Sequence, residues 1–201
     1  MQIQNLTQLR NLYSAPTDRV IRKEITALDH HLRQFISLSP FLVIASGNTQ
    51  LNMDASPRGG TQGFVCVLDD HNLLIPDAPG NNRLDTLQNI LETSQVGLLF
   101  FIPGIDEMLR IHGHATLHDD ADLLAYFSNT QQKPKLVIKV KVEGAYMHCA
   151  KAIMRSKLWA EKSKVDRAAL PSMGQIIKDH AQLDGPAETR EDMLKRYEKD
   201  L

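Results

Sequence analysis

Two stretches of this chain have the residue types and spacing of an anion cradle. In D-A-S-P-R-G-G-T-Q-G-F, Asp54 to Phe64, one arginine stands between a proline and two glycines. Glycine lets backbone N–H groups turn toward a ligand, proline stiffens the approach, and a guanidinium grips phosphate or carboxylate through two parallel bonds. A tight hairpin turn carrying a surface arginine has the same composition, so this stretch alone leaves both readings open. In P-D-A-P-G-N-N-R, Pro76 to Arg83, the residues Asn81, Asn82 and Arg83 follow a strand and directly precede a helix. Unpaired N–H groups at a helix start favour an anion, and a plain cap at Asn81 or Asn82 is the competing reading.

Two further stretches are rich in donors. In L-R-I-H-G-H-A, Leu109 to Ala115, alternation puts Arg110, His112 and His114 on one face of a strand. Histidines two apart on a strand suit zinc or iron, but no acidic residue of this strand joins them and Arg110 does, so no metal is expected. The segment Y-M-H-C-A-K-A-I-M-R-S-K-L-W, Tyr146 to Trp159, holds the single tryptophan beside Lys151, Arg155, Ser156 and Lys157. Such a set can hold an anion and stack a flat ring; an amphipathic surface helix anchored by Trp159 reads the same way. No G-x-S-x-G elbow, Walker loop or G-x-G-x-x-G fingerprint occurs, and no catalytic acid, base or nucleophile is assigned.

The elements that must carry these groups follow from hydrophobic periodicity. Val20, Ile21, Ile25, Leu28, Leu32 and Ile36 make one apolar stripe, which predicts a helix capped by Asp18 and ending near Ser39-Pro40. The period then shortens. Phe41 to Ser46, Gln50 to Ala55, Gly63 to Leu68 and Asn72 to Pro76 read as antiparallel strands joined by hairpins. A helix is expected from Asn82, then a strand buried on both faces from Val96 to Ile102. In the strand from Glu107 to Leu117, Leu109, Ile111, Gly113, Ala115 and Leu117 point inward. A helix near Asp120 to Phe127 and a strand from Lys135 to Val142 follow, then a tail ending in a charged helix, Ala187 to Asp200.

Six or seven antiparallel strands with few helices between them predict a mainly β fold, a closed or nearly closed barrel with flanking helices. The expected organisation is a single structural domain: an N-terminal helical segment over 1–40, a barrel core over 41–145 and a helical tail or lid over 146–201. Hydrophobic residues make up 42% and charged residues 23%, enough for one sizeable core. A net charge of −1 supplies no basic field for nucleic acid or a membrane surface. No spanning apolar run and no secretory leader are recognised, so a cytoplasmic location is expected. Cys66 and Cys149 are the only cysteines and encode neither a disulfide framework nor a thiolate metal site.

Taken in order, the pieces resemble the flavin mononucleotide (FMN)-binding split-barrel proteins of the pyridoxamine 5′-phosphate oxidase type, in particular an uncharacterised bacterial branch of them. The resemblance rests on Gln50 to Arg58, on G-F-V-C-V-L-D-D-H-N-L-L-I-P, on G-N-N-R, on V-G-L-L-F-F-I-P-G and on L-R-I-H-G-H-A. It implies an antiparallel six- to seven-stranded split β-barrel and a homodimer with FMN in clefts at the subunit interface. Arg58 and Arg83 would neutralise the FMN phosphate, with Asn81 and Asn82 beside them. Asn52, Met53, Asp54, Ala55 and Ser56 would border ribityl chain and ring, Arg110 or Lys151 would stabilise the reduced flavin, and Lys151, Arg155, Ser156 and Trp159 would form a lid. The chain departs from the family in N-M-D-A-S-P-R and in its R-S-K-L-W tail, where the oxidase has a substrate-gripping arginine and histidine motif. The implied activity is an FMN-dependent oxidoreductase for a small anionic substrate. A non-catalytic flavin- or haem-binding split barrel, with His112, His114 or His148 on iron, and a deazaflavin-dependent reductase are the alternatives.

Overall fold

In a computed structural model describing residues 1–78, 80–130 and 132–199, seven strands form one antiparallel sheet. They are β1 (Phe41–Gly47), β2 (Met53–Gly59), β3 (Cys66–Val67), β4 (Asn72–Pro76), β5 (Gln95–Phe101), β6 (Met108–His118) and β7 (Val137–His148). Their order across the sheet is β2-β1-β5-β6-β7-β4-β3. The described helices are α1 (Leu6–Arg10), α2 (Asp18–Arg22), α3 (His30–Leu38), α4 (Asp85–Thr93), α5 (Ala121–Leu124), α6 (Lys151–Ser156), α7 (Met173–Ala181) and α8 (Arg190–Tyr197).

Alternation decides which face of each strand is dry. Leu42 and Ile44 of β1, Leu98 and Phe100 of β5, Leu109 and Ile111 of β6, and Ile138 and Val140 of β7 all enter one buried cluster. Leu73 and Ile75 of β4 join it, so β1 and β4, each next to an edge strand at opposite ends of the order, share a core and the sheet curls around it. Each such side chain contributes roughly 1.5–3 kcal/mol on burial. Leu32, Phe35 and Ile36 of α3 and Leu87 and Ile90 of α4 join the same core from the helices.

Several expectations change on contact with the structure. The helix predicted from Asp18 to Ser39 is two helices, because Ile25 leaves the helical path and exchanges backbone hydrogen bonds with Ala145 of β7. Thr17, not Asp18, takes the N-cap position of α2, and Val20 and Ile21 are exposed; Asp29 caps α3 by accepting from the Leu32 N–H. The β2 strand runs to Gly59, so S-P-R-G is strand and not loop; Pro57 is tolerated because β2 is an edge. β5 is dry on one face only, with Gly97, Leu99 and Phe101 half-buried on the other. The helix expected from Asn82 starts at Asp85, and the final charged helix covers Arg190–Tyr197.

A bulge at His112/Gly113 sets the geometry of β6 and β7. Glu143 is the unpaired extra residue: His112 faces Gly144 while Gly113 faces Val142. Gly113 has no alternative here, since a Cβ would lie 2.0 Å from the Lys141 carbonyl oxygen. No helix among the described residues is long and apolar enough to cross a membrane.

Candidate functional site

Where the end of β2 meets the start of α4, the walls enclose a cavity of about 760 Å³. Ser56, Pro57, Arg58 and Gly59 form one wall; Pro76, Asp77 and Ala78 follow β4; Asn81 to Leu87 form the rim and the first turn of α4; Lys135 and Leu136 precede β7. Both arginines of the two cradle stretches therefore reach one cavity. The walls are pinned together by Asp54, whose Oδ2 accepts from Thr86 Oγ1 at 2.5 Å and from Ser56 Oγ at 2.9 Å.

Arg58 is the deepest cation of this cavity. It follows Pro57 on an edge strand and its alternation turns it inward, leaving its side chain 19% exposed. Nη1 donates to the Pro57 carbonyl oxygen at 2.9 Å and Nη2 lies 3.9 Å from Asp77 Oδ1. Nε is fully buried and has no hydrogen-bond partner among the described residues. A buried unsatisfied donor costs about 1–3 kcal/mol. Burial pushes the Asp77 carboxyl above its ordinary value, and the positive charges of Arg58 and then Lys135 pull it part of the way back.

The rim is held in an unusual backbone conformation. Asn82 and Leu84 adopt φ of 59° and 61°, a left-handed region that costs a residue with a Cβ on the order of 1 kcal/mol or more. Leu84 is the N-cap residue of α4, and no side chain caps the helix. Asn81 and Asn82 thus do not serve as caps; Asn81 Oδ1 accepts from the Arg83 N–H at 3.0 Å instead. Arg83 is largely exposed and paired to Asp85, Nε to Oδ2 at 2.8 Å.

Of the residues named from sequence, Ser56, Arg58, Asn81, Asn82 and Arg83 come together here, and Asp54 supports them from behind. Asn52, Met53 and Ala55 are exposed and do not line the cavity. Neither do Arg110, Lys151, Arg155, Ser156 and Trp159 within one chain. Arg110 stands on the outer face of β6, 5.8 Å from the Tyr146 ring. Arg155 Nε and Ser156 Oγ donate to carbonyls of their own helix, and Trp159 Nε1 donates to the Ile105 carbonyl oxygen at 2.9 Å. Sequence reading missed Asp77, Thr86 and Lys135. Asp77 lay inside the quoted P-D-A-P-G-N-N-R; nothing in the spacing singled out Thr86 or Lys135.

The histidines of β6 gain acidic neighbours that their own strand lacks. His112 Nε2 lies 3.5 Å from Glu24 Oε1, and His114 Nε2 lies 3.0 Å from the bulge residue Glu143.

Comparison with known families now decides the relationship. The family profile described as pyridoxamine 5′-phosphate oxidase matches residues 28–149, more than half of the chain. The chain belongs to this family. The seven-stranded antiparallel sheet with flanking helices is consistent with this family's split barrel. A variant of HupZ from Group A Streptococcus superposes with a TM-score of 0.51 at 14% identity, over 60% of this chain and 99% of that one. A proposed pyridoxamine 5′-phosphate oxidase from Lactobacillus delbrueckii gives 0.48 at 18% identity, over 61% and 95%. HutZ, the heme storage protein of Vibrio cholerae, gives 0.42 at 10% identity, over 59% and 93%. At 14% identity the first of these likenesses concerns the fold alone. No curated protein matches the chain in sequence.

Proposed function

We propose that this member of the family binds FMN, with the phosphate in the cavity between β2 and α4, and works as an oxidoreductase on a small anionic molecule. The observation that carries the reading is Arg58, a cation lining the cavity with its side chain only 19% exposed and its buried Nε without an acceptor among the described residues. A phosphate there would accept from the Arg58 guanidinium, and the uncapped first turn of α4 offers further N–H groups. Asn81, Asn82 and Arg83 would close the rim. When bound, the flavin supplies hydride transfer; the protein sets its position, its electrostatics and its access to water.

The same reading includes a homodimer. Phe41, Val43, Leu99 and Phe101 leave an apolar, half-exposed strip on the outer face of β1 and β5, with the two phenylalanine rings 6.0 Å apart. Arg110, Lys151, Arg155, Ser156 and Trp159 enter the site only if a second copy brings them to it. The haem alternative is disfavoured by the carboxylates already beside His112 and His114 Nε2.

The test is the visible absorption spectrum of freshly purified protein, repeated after unfolding and after adding FMN, with light scattering for mass. Flavin bands released as FMN from a dimer support the reading. A colourless protein that ignores FMN overturns it, and a haem band redirects attention to His112, His114 and His148.

A further inference from the structure

The cavity wall carries a negative group that a phosphate site does not need. Asp77 stands one residue past β4, its side chain 20% exposed, with Oδ1 3.9 Å from Arg58 Nη2. Its backbone N–H donates to the Leu136 carbonyl oxygen at 3.1 Å, which ties it to the segment entering β7 and keeps the carboxylate in the wall. The charged groups around it come from each neighbouring element. Arg58 faces it from β2, Lys135 from the approach to β7, and Arg83 and Asp85 from the start of α4. The last two are paired with each other and largely solvated, so their opposite charges act weakly on Asp77. Arg58 therefore cannot serve an ionised Asp77 and a phosphate dianion equally.

We propose that Asp77 is a proton switch for this cradle: ionised, it holds Arg58 in place of the ligand, and it takes up one proton when a phosphate monoester arrives. The proton comes from solvent and stays on the carboxyl, which then donates its O–H to a phosphate oxygen instead of repelling it. This rests on the phosphate-cradle reading above and adds its regulation. Two physical causes point the same way. Burial already disfavours the carboxylate, and an incoming like charge disfavours it further, whereas the guanidinium that favoured it turns to the ligand.

The sign of the pH dependence separates this switch from the titration of the ligand. A phosphate monoester loses its second proton near pH 6, so its attraction to the arginines grows or levels off as pH rises. One proton taken up per ligand bound makes affinity fall with pH, by about tenfold per unit where the linkage is complete.

The test uses the full chain and the Asp77→Asn variant, titrated with FMN and riboflavin between about pH 6.5 and about pH 8.5, a range above the titration of the FMN monoester, and with inorganic phosphate at the alkaline end, where it is already the dianion. Calorimetry in buffers of different ionisation enthalpy counts the protons. The expected result is net proton uptake by the wild type with FMN and with phosphate but not with riboflavin. FMN affinity should weaken several-fold per pH unit in the wild type, and Asp77→Asn should bind FMN about tenfold or more tightly than wild type at the alkaline end. If FMN binds but wild type and Asp77→Asn share one pH profile with no proton uptake, the switch is overturned and the cradle stands. Equal uptake with riboflavin also overturns it, because the phosphate is then not what is sensed. If neither FMN nor phosphate binds either protein at any pH, the cradle reading itself fails. Should Asp77→Asn not fold, the wild-type proton count decides alone.

Discussion

Replacing Arg58 by methionine should separate the two roles an interior arginine can have. Methionine keeps an unbranched stem of similar reach and removes the guanidinium. In the ligand-free protein, three changes nearly offset. The unpartnered Nε disappears, which returns about 1–3 kcal/mol. The local bond from Nη1 to the Pro57 carbonyl oxygen is lost, about 1 kcal/mol, together with the attraction of Asp77 across 3.9 Å, worth under about 1 kcal/mol for a pair still reached by water. Arg58→Met should therefore unfold within about 1 kcal/mol of the wild type, a Tm shift of roughly 2–4 °C at most for a chain of this size. FMN affinity should behave differently. Two charge-assisted bonds from the guanidinium to a phosphate contribute about 1.5–3 kcal/mol each, so at least about 3 kcal/mol, roughly a hundredfold in Kd, should go. Thermal unfolding with and without FMN and quenching of flavin fluorescence measure both numbers. A variant that binds FMN as tightly as the wild type refutes the role of Arg58. One that melts about 10 °C lower without ligand shows an ordinary structural arginine instead.

Other perturbations test the frame around the site. Gly113→Ala puts a Cβ 2.0 Å from the Lys141 carbonyl oxygen, a backbone atom that cannot yield without opening the β6–β7 ladder; a loss of about 3 kcal/mol or more and a Tm lower by roughly 10 °C are expected. An unchanged Tm would mean the bulge relaxes freely. Burial pushes the Cys66 thiol up, whereas Cys149 is exposed, so a thiol reagent near neutral pH should label Cys149 first and Cys66 much more slowly; equal rates would contradict the packing of β3. The raised Asp77 carboxyl also fixes a sign for ligand-free stability. Between its ordinary value and its raised value the folded chain binds more protons than the unfolded one, so this group's contribution falls as pH rises through that window. Urea unfolding should show the wild type losing ground to Asp77→Asn as pH rises from acid toward neutral, and a difference that grows in the opposite direction would be fatal to that assignment.

What the sequence made legible was whatever depends on one element at a time. Leu109, Ile111, Ala115 and, in β7, Ile138, Val140 and Val142 alternate cleanly because they share the face of each strand that meets the main core, while Val137 is buried on the other face in a smaller cluster with Leu74 and Phe127. The S-P-R-G stretch misled because proline and glycine signal a turn by default, while an edge strand tolerates both. Ile25 kept helical spacing with Val20, Ile21 and Leu28 although its backbone is spent on Ala145, a partner 120 residues away that periodicity cannot register. The same limit hid Asp77, Thr86 and Lys135. Their importance comes from which wall the rolled sheet sets them in, and only the strand order brings that wall opposite Arg58.

Local rules are broken around this cavity and kept in the neighbouring core. Arg58 Nε lacks an acceptor among the described residues, Asp77 is a carboxylate held mostly away from water, and Asn82 and Leu84 sit at positive φ before a helix that no side chain caps. At about 1–3 kcal/mol for the orphaned donor and on the order of 1–3 kcal/mol for each strained residue, the departures rival a sizeable part of the stability of an ordinary domain. A chain under no functional demand could remove several of them by single substitutions: asparagine at 84, which tolerates the left-handed region better than leucine, or methionine at 58. Leu51, Ser94, Lys157 and Gln182 also take positive φ, but at this cavity the strained residues adjoin an unpartnered buried donor and a largely buried carboxylate, as a site organised for its occupied state would have them. A ligand at a hundredfold its Kd returns about 2.7 kcal/mol to the folded state, the scale of the departures themselves. A phosphate-bearing ligand that occupies the cradle should therefore raise the Tm of the wild type more than that of Arg58→Met, which has no guanidinium to hold the phosphate.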